Sequence, residues 1–306
     1  MNGKKARFAA CPMSDSLPLA TVIPSSDGAP ISYRSLGSGE AVVLVGGALR
    51  RSDDYMSLAR ALARSFTVHV VDRRGRGESA AQGTNYGIEI ECEDLLAVQE
   101  ATGARYAFGH SYGGLVCLES ALRKAGFDGV AVFEPGVSID GCFPTSWLPQ
   151  FRTLLNRGDD WGAMVCMVQG SGFAPRMIAD APQWLARLLL HGGIRRRDWA
   201  EMRPLLRAQL AEMEQVLKLE GAGDRYRCVG CPTLLMGGNA SPAAITRYAL
   251  ETLSRVIPQN ETVMFERVGH TGPDRQAPDL VAGRLEAFFL GLSPGAGIQA
   301  AHHKQV

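Results

Sequence analysis

Residues 109–113 read Gly109-His110-Ser111-Tyr112-Gly113, and Gly114 follows. A serine flanked in this way can occupy a tight, strained turn between a strand and a helix, with its hydroxyl projecting above the end of a sheet. The glycines leave room for the turn and for close packing of the helix. That helix aims its first N–H groups at the same spot, where they favour negative charge. The chemistry open to such a serine is attack on a carbonyl carbon, with backbone donors holding the alkoxide that develops. A serine hydroxyl is a poor nucleophile unless a base takes its proton. The competing reading is a purely structural turn, and the surrounding elements decide between the two.

Those elements alternate. Two extended runs, Ala20–Ile23 and Ile31–Ser35, are separated by turn-prone residues 24–28. Ala41–Val45 is a continuous apolar run ending at Gly46-Gly47, as expected of a strand buried on both faces. Asp53 or Asp54 can cap a helix whose apolar stripe is Met56, Leu58, Ala59, Leu62 and Ala63. Thr67–Val71 reads as a strand and Asp72–Ser79 as the loop leaving it. A helix with an acidic first turn follows over Ile88–Ala101. Arg105–Phe108 reads as a strand, Tyr112–Lys124 as a helix and Gly129–Phe133 as a strand, so Ser111 falls between a strand and a helix. This order predicts a mostly parallel sheet with helices on both faces.

The alternation breaks between Val137 and Tyr226, a helical and irregular stretch that holds all four tryptophans, Trp147, Trp161, Trp184 and Trp199. It resumes with a strand at Pro232–Met236, a helix at Pro242–Val256, a strand at Thr262–Val268 and a helix at Asp279–Leu290. The expected organisation is a loose arm at 1–18, a core made of 19–136 and 228–292, a helical insertion at 137–227, and a disordered tail at 293–306.

The bulk properties exclude several classes. A chain of 306 residues, 46% hydrophobic, can bury a large core. A net charge of +1 with both signs spread along the chain lacks the basic footprint of a nucleic-acid binder. Lys4, Lys5 and Arg7 are not followed by the apolar run of a signal peptide, and no stretch has the length of a membrane span. The expectation is a soluble cytoplasmic protein with a small-molecule substrate and no nucleic-acid or membrane partner; oligomeric state leaves no signal. The seven cysteines suggest no disulfide framework. Cys228 and Cys231 form a lone C-x-x-C without a second pair or a nearby histidine, so packing at the start of a strand is expected rather than zinc. No metal or organic cofactor is implied.

Taken together, residues 20–290 resemble the α/β-hydrolase superfamily. Beyond the serine motif, Val45-Gly46-Gly47-Ala48 is similar to the family's oxyanion loop, and Asp72–Ser79 to its D-x-R-G-x-G-x-S segment. The resemblance implies an eight-stranded sheet with a helical lid inserted after the sixth strand. It also implies a serine nucleophile, Ser111, with the N–H groups of Ala48 and Tyr112 as oxyanion donors. Gly46 stands where many relatives carry histidine, and Gly46 and Gly47 could simply close a tight turn. Of six histidines, His69 lies in a strand, His110 in the elbow with its ring directed away from Ser111, His191 in the insertion, and His302 and His303 in the tail. His270 remains, directly after the last predicted strand, where the superfamily places its general base.

The acid departs from the family pattern. The usual aspartate position after the seventh strand lies in Gly237-Gly238-Asn239-Ala240-Ser241, where Ala240 stands. Either the triad is incomplete, or Asn239 orients the histidine weakly, or the acid comes from elsewhere. Glu134, at the end of the sixth strand, is the favoured candidate, because some branches of the superfamily carry their acid there; Asp274 is the weaker one. Glu134 would accept the His270 N–H and stabilise the imidazolium. The lid's aromatic residues and methionines suggest an apolar acyl or aromatic group in the pocket, with Gly47, Trp147, Trp161, Met164 and Trp184 as candidate contacts. Arg195-Arg196-Arg197 reads as a solvated turn, with contact to an anionic substrate as the alternative. The function implied is hydrolysis of an ester-like bond (carboxylic ester, lactone or thioester) of a medium-sized, largely apolar substrate through an acyl-enzyme. The alternatives are non-hydrolytic proteins of the same fold: a ligand-binding or auxiliary protein, whose best support is the missing acid at Ala240, or a lyase or cyclase of secondary metabolism.

Overall fold

The computed structural model describes residues 16–123 and 126–293. The expected arm up to residue 15, the helix end at Lys124 and the tail from residue 294 lie outside these residues. Eight strands form one sheet: β1 (Ala20–Pro24), β2 (Pro30–Gly37), β3 (Glu40–Val45), β4 (Phe66–Asp72), β5 (Tyr106–His110), β6 (Gly129–Phe133), β7 (Thr233–Gly238) and β8 (Asn260–Phe265). Their order is β1-β2-β4-β3-β5-β6-β7-β8. β2 is antiparallel to both β1 and β4, and every other pair is parallel.

Alternate residues of the central strands feed two cores, one on each face. Val43, Val45, Ala107, Val130 and Val132 belong to one. Val42, Leu44, Phe108, Ala131 and Phe133 belong to the other. This is the period of two expected of strands buried on both sides. Helices α2 (Ile88–Thr102), α3 (Tyr112–Leu122) and α10 (Thr246–Val256) cover the first face through Leu95, Leu115 and Leu253. Helices α1 (Met56–Leu62) and α11 (Pro278–Leu292) cover the second through Leu58 and Phe289. Between β6 and β7 stand α4 (Leu148–Asn156), α5 (Asp160–Gly170), α6 (Arg176–Ala179), α7 (Gln183–Gly193), α8 (Arg196–Met202) and α9 (Leu205–Lys218). Part of this segment packs around a core of its own that includes Phe151, Leu155, Met164 and Leu206.

Several boundaries move. β8 ends at Phe265 rather than Val268, because Arg267 turns into the left-handed region (φ 60) and its N–H donates to Asn239 Oδ1 at 2.7 Å. β7 runs on through Gly237-Gly238. A 3-10 turn at Ser52–Tyr55 precedes α1, with Asp54 accepting the Arg51 N–H at its start. Arg196 and Arg197 open α8 instead of forming a turn, although they remain solvated. Cys228 is exposed, so only Cys231, half-buried, packs against the core before β7.

The chain passes from β3 to β4 on one side and reaches β5 on the other, so the strand order reverses at β3. Open α/β sheets bind ligands at the carboxyl ends of strands at such a reversal. Here the loop after β3 meets the turn after β5, and the two approach so closely that a Cβ on Gly113 would stand 2.2 Å from Val45 O and 2.7 Å from Gly46 O. Both obstacles are backbone. Gly113→Ala is therefore expected to destabilise the protein by about 3 kcal/mol or more. Gly192→Ala, in the exposed part of α7 with no neighbour to meet, is expected to be neutral or to stabilise by up to about 1 kcal/mol. Urea unfolding midpoints of the two variants against wild type check the contrast.

Candidate active site

Ser111 sits at the junction of β5 and α3 with φ 54 and ψ −122. A non-glycine residue there is strained, and the surroundings hold it in place. Its N–H donates to Phe133 O at 3.0 Å, and its carbonyl accepts from Gly114 N and Gly136 N, each at 2.8 Å. A Cβ on Gly109 would fall 2.3 Å from Gly113 O, which is why the turn needs glycine at that end too. Gly47 packs directly against the serine, since a Cβ there would lie 3.0 Å from Ser111 Cβ.

Glu134 leaves β6 in the left-handed region, with φ 43, and its side chain is buried. Its Oε2 meets His270 Nδ1 at 2.7 Å and accepts the Ser241 hydroxyl at 2.9 Å, while Oε1 accepts the Gly238 N–H at 2.9 Å. A carboxylate can only accept, so Nδ1 of His270 donates, and in that tautomer Nε2 is the ring's acceptor nitrogen. The other candidate partners are engaged elsewhere. Asp274 Oδ2 accepts from Arg50 Nε at 2.7 Å. The Asn239 side chain accepts the Arg267 N–H. Ala240 supplies only a backbone N–H to Val268 O. His270 and Ser111 line the same cavity.

The loop after β3 is held from beneath by Arg73, which is buried. Its Nε donates to Gly46 O at 3.0 Å and Nη2 to Gly47 O at 3.1 Å, while Nη1 pairs with Glu91 at 2.8 Å and with Glu212 at 3.0 Å. Carbonyl and N–H point in opposite directions across a planar trans peptide. Gripping Gly47 O thus turns the Ala48 N–H away from Arg73. Neither Ala48 N–H nor Tyr112 N–H donates to another described group, and Ala48 lines the cavity. The Tyr112 side chain turns into the core, beneath the Arg73 guanidinium and against Tyr86.

A second chain of bonds joins the same loops. The Gly47 N–H donates to Tyr55 Oη at 2.8 Å, Tyr55 Oη meets His110 Nδ1 at 2.6 Å, and His110 Nε2 meets the His270 carbonyl at 2.8 Å. A carbonyl only accepts, so Nε2 of His110 is the protonated nitrogen and Tyr55 donates to Nδ1. Burial, and next the neighbouring His270 ring, hold the His110 imidazole well below its ordinary 6.5. The loop after β3, the residue before Ser111 and the loop carrying His270 are thereby tied into one unit. Sequence reasoning missed Tyr55, Arg73, Glu91 and Glu212. The arginines of Asp72–Ser79 were a signal, but nothing near Glu212 in the chain marks it.

The cavity measures about 540 Å³. Ser111, His270 and Ala48 stand at one wall, and Phe143, Trp147, Met167, Phe173, Leu190 and Met213 supply much of the rest. The Phe173 ring lies 4.5 Å from that of His270. Of the expected contacts from the helical segment, only Trp147 lines it. Trp161 stacks on Trp199 with 3.8 Å between ring centroids and does not reach the cavity. Met164 is buried in the segment's own core, and Trp184 is 70% exposed on the outer face of α7. Gly47 borders Ser111 without lining the cavity. Of the remaining described histidines, His69 bonds Ser35 in the sheet and His191 packs on Trp161. Among the described residues no group of three or more His, Cys, Asp or Glu side chains is placed to hold a metal, and no helix is long and apolar enough to cross a membrane.

The sheet, the strained serine at the strand reversal and the Glu134–His270 pair define an α/β-hydrolase fold with a site at its carboxyl edge. The chain belongs to the alpha/beta hydrolase family, whose model matches residues 42–284. It is 27% identical over 281 residues to a pimeloyl-[acyl-carrier protein] methyl ester esterase of Stenotrophomonas maltophilia (strain R551-3), a match covering 86% of this chain and 98% of that one. Among solved structures, an alpha/beta hydrolase from Sphaerobacter thermophilus DSM 20745 superposes with a TM-score of 0.74 at 33% identity, covering 88% of this chain and 100% of that one. A thermophilic esterase from Thermogutta terrifontis shares the fold, with a TM-score of 0.66 at 21% identity over 90% of this chain and 99% of that one.

The neutral His110 gives stability a pH dependence of known sign. Its pKa is lower folded than unfolded, so the unfolded chain binds more protons below 6.5. Stability present above that pH is lost progressively as pH falls beneath it, at up to about 1.4 kcal/mol per pH unit. His110→Gln removes this one-proton component. Urea midpoints between about pH 7.5 and 5 should therefore fall more steeply for wild type than for the variant; equal slopes would assign the dependence to other groups.

Proposed function

We propose that the protein is a serine hydrolase that cleaves an ester-like bond (carboxylic ester, lactone or thioester) through an acyl-enzyme. The observation that carries this reading is the Glu134–His270 contact at 2.7 Å beside a serine held at a strained elbow in the same cavity. Esterases among its relatives support the ester bond as the target. The missing acid at Ala240 favoured a ligand-binding protein, and the Glu134 carboxylate on His270 speaks against that ground. The expected setting is the cytoplasm, with a small molecule as substrate.

In this reading Ser111 Oγ attacks the carbonyl carbon while His270 Nε2 takes its proton. Glu134 keeps Nδ1 protonated and stabilises the imidazolium. The carbonyl oxygen becomes an oxyanion that accepts from the Ala48 and Tyr112 N–H groups, which need no reorganisation because Arg73 and the elbow already hold them. Collapse returns the His270 proton to the leaving alcohol or thiol and leaves Ser111 acylated. Water then gives a proton to His270, attacks the acyl carbon and releases the acid, restoring the serine. The apolar walls exclude bulk water and suit a medium-sized apolar acyl or alcohol group.

Ser111 should be labelled by a fluorophosphonate probe, and a short-chain p-nitrophenyl ester should be turned over by wild type but not by Ser111→Ala. Folded wild-type protein with neither labelling nor turnover would reject the reading. Glu134→Gln is expected to lower kcat by about a hundredfold to ten-thousandfold with near-UV circular dichroism unchanged. Activity within a few-fold of wild type would leave Glu134 a structural residue.

A further inference from the structure

The cavity that holds Ser111 and His270 is walled mainly by apolar side chains, yet it carries two guanidinium groups. Arg50 follows the loop that bears Ala48, Arg275 follows the loop that bears His270, and both line the cavity. Among the described residues that line it there is no carboxylate. Behind the two arginines lies Asp274, whose side chain is fully buried; it accepts Arg50 Nε at 2.7 Å and stands 3.7 Å from Arg275 Nε. Asp274 is thus shared by two cations, and Asp54 adds a weaker attraction on Arg50. Asp54, Asp198 and Glu201 border a separate crevice on the far side of Arg275.

Arg50 is the better placed of the two. Its side chain is only 15% exposed, against 51% for Arg275, so water screens it less. Asp274 engages the Nε edge alone, and the two terminal nitrogens of Arg50 bond to no described group. A guanidinium offers five donors in a rigid fork that suits paired oxygens. In an apolar cavity its free edge attracts an anion more strongly than it would in water.

We propose that Arg50 forms an anion subsite of the catalytic cavity, recognising a carboxylate carried by the substrate apart from the scissile ester, with Arg275 adding charge at the entrance. The proposal rests on the serine-hydrolase reading and sharpens it: the preferred substrate has an apolar body and one anionic end. Asp274 is a positioning residue that fixes the Nε edge so that the terminal nitrogens face the ligand.

The test compares monomethyl esters of dicarboxylic acids of four to seven carbons with methyl esters of monocarboxylic acids of the same length. Wild type should favour one carboxylate-bearing length by about tenfold or more in kcat/KM, and added salt should erode that preference. Arg50→Met should lower the ratio of the two kcat/KM values about ten- to a hundredfold, chiefly through KM. A wild type that favours the neutral esters, or a variant that loses both activities in proportion, overturns the subsite. Because Arg50→Met strands Asp274, the double variant Arg50→Met/Asp274→Leu, which removes both partners, is measured beside it. Calorimetry of the monomethyl esters with Ser111→Ala separates the two ideas. Binding that needs Arg50, together with no turnover of any ester by wild type, would keep the subsite and reject the hydrolase; no binding would reject the subsite alone.

Discussion

The site depends first on a charge that the protein has buried. The Arg73 side chain is 2% exposed, and a guanidinium so placed is tolerable only if its N–H groups find acceptors and its charge finds an opposite. The acceptors are two successive carbonyls of the loop after β3; the opposite charges are Glu91 from α2 and Glu212 from α9. Arg76 adds a second guanidinium on Glu212 at 2.6 Å, so two cations balance two carboxylates. Moving the loop, α2 or α9 would uncover part of this cluster, and breaking a buried pair costs about 3–5 kcal/mol. The loop that faces Ser111 is therefore held by the same contacts that fasten the helical segment to the sheet. Arg73 also lies over the ring of Tyr112, the residue after the serine, which ties the elbow to the same charge.

The origin of the carboxylate on His270 follows from sheet geometry. β6 and β7 are parallel neighbours with Phe133 paired to Met236, so the residues that follow them emerge side by side. A carboxylate on either strand end can reach the histidine loop. Glu134 does so by taking a left-handed conformation and lying over β7. There Gly238 presents its N–H, and Gly237 beside it has no space for a side chain because a Cβ would stand 2.5 Å from Leu250 Cδ1. Ser241, just past Asn239 and Ala240, supplies a further donor. The β7 loop thus holds a carboxylate that it does not provide, and an alanine suffices at position 240.

The cavity lining follows a different principle from the tied loops. Much of the cavity wall comes from residues before α4, from α5 and the loop after it, and from α6, α7 and α9, and its aromatic, aliphatic and methionine side chains define an apolar volume. Arg50, held by Asp274 from behind, interrupts that apolar lining. Apolar side chains make up most of the lining, and Ser171, Gln209, Thr271, Arg50 and Arg275 add polar groups beside Ser111 and His270.

Residue order alone was enough to read the elements that repeat with a period. The buried strands, the amphipathic helices and the serine between strand and helix were legible because burial on two faces, burial on one face and a tight turn each restrict residue type locally. Ser111 could be singled out for the same reason, whereas His270 and Glu134 stood out because the resemblance to the superfamily implies a base and, in some branches, an acid after those strands. Contacts between distant parts of the chain left no such local mark and emerged only on folding. Glu212 meets Arg76 across 136 positions, and Arg73 beside it, only because α9 returns over the sheet; His110 meets the His270 carbonyl across 160 positions. Trp161, Met164 and Trp184 matched the composition of a pocket, but composition cannot say which face of a helix turns inward. The fold sent one to a stacked pair, one to a local core and one to solvent, because each helix in that segment buries its apolar side against whichever neighbour the chain brings to it.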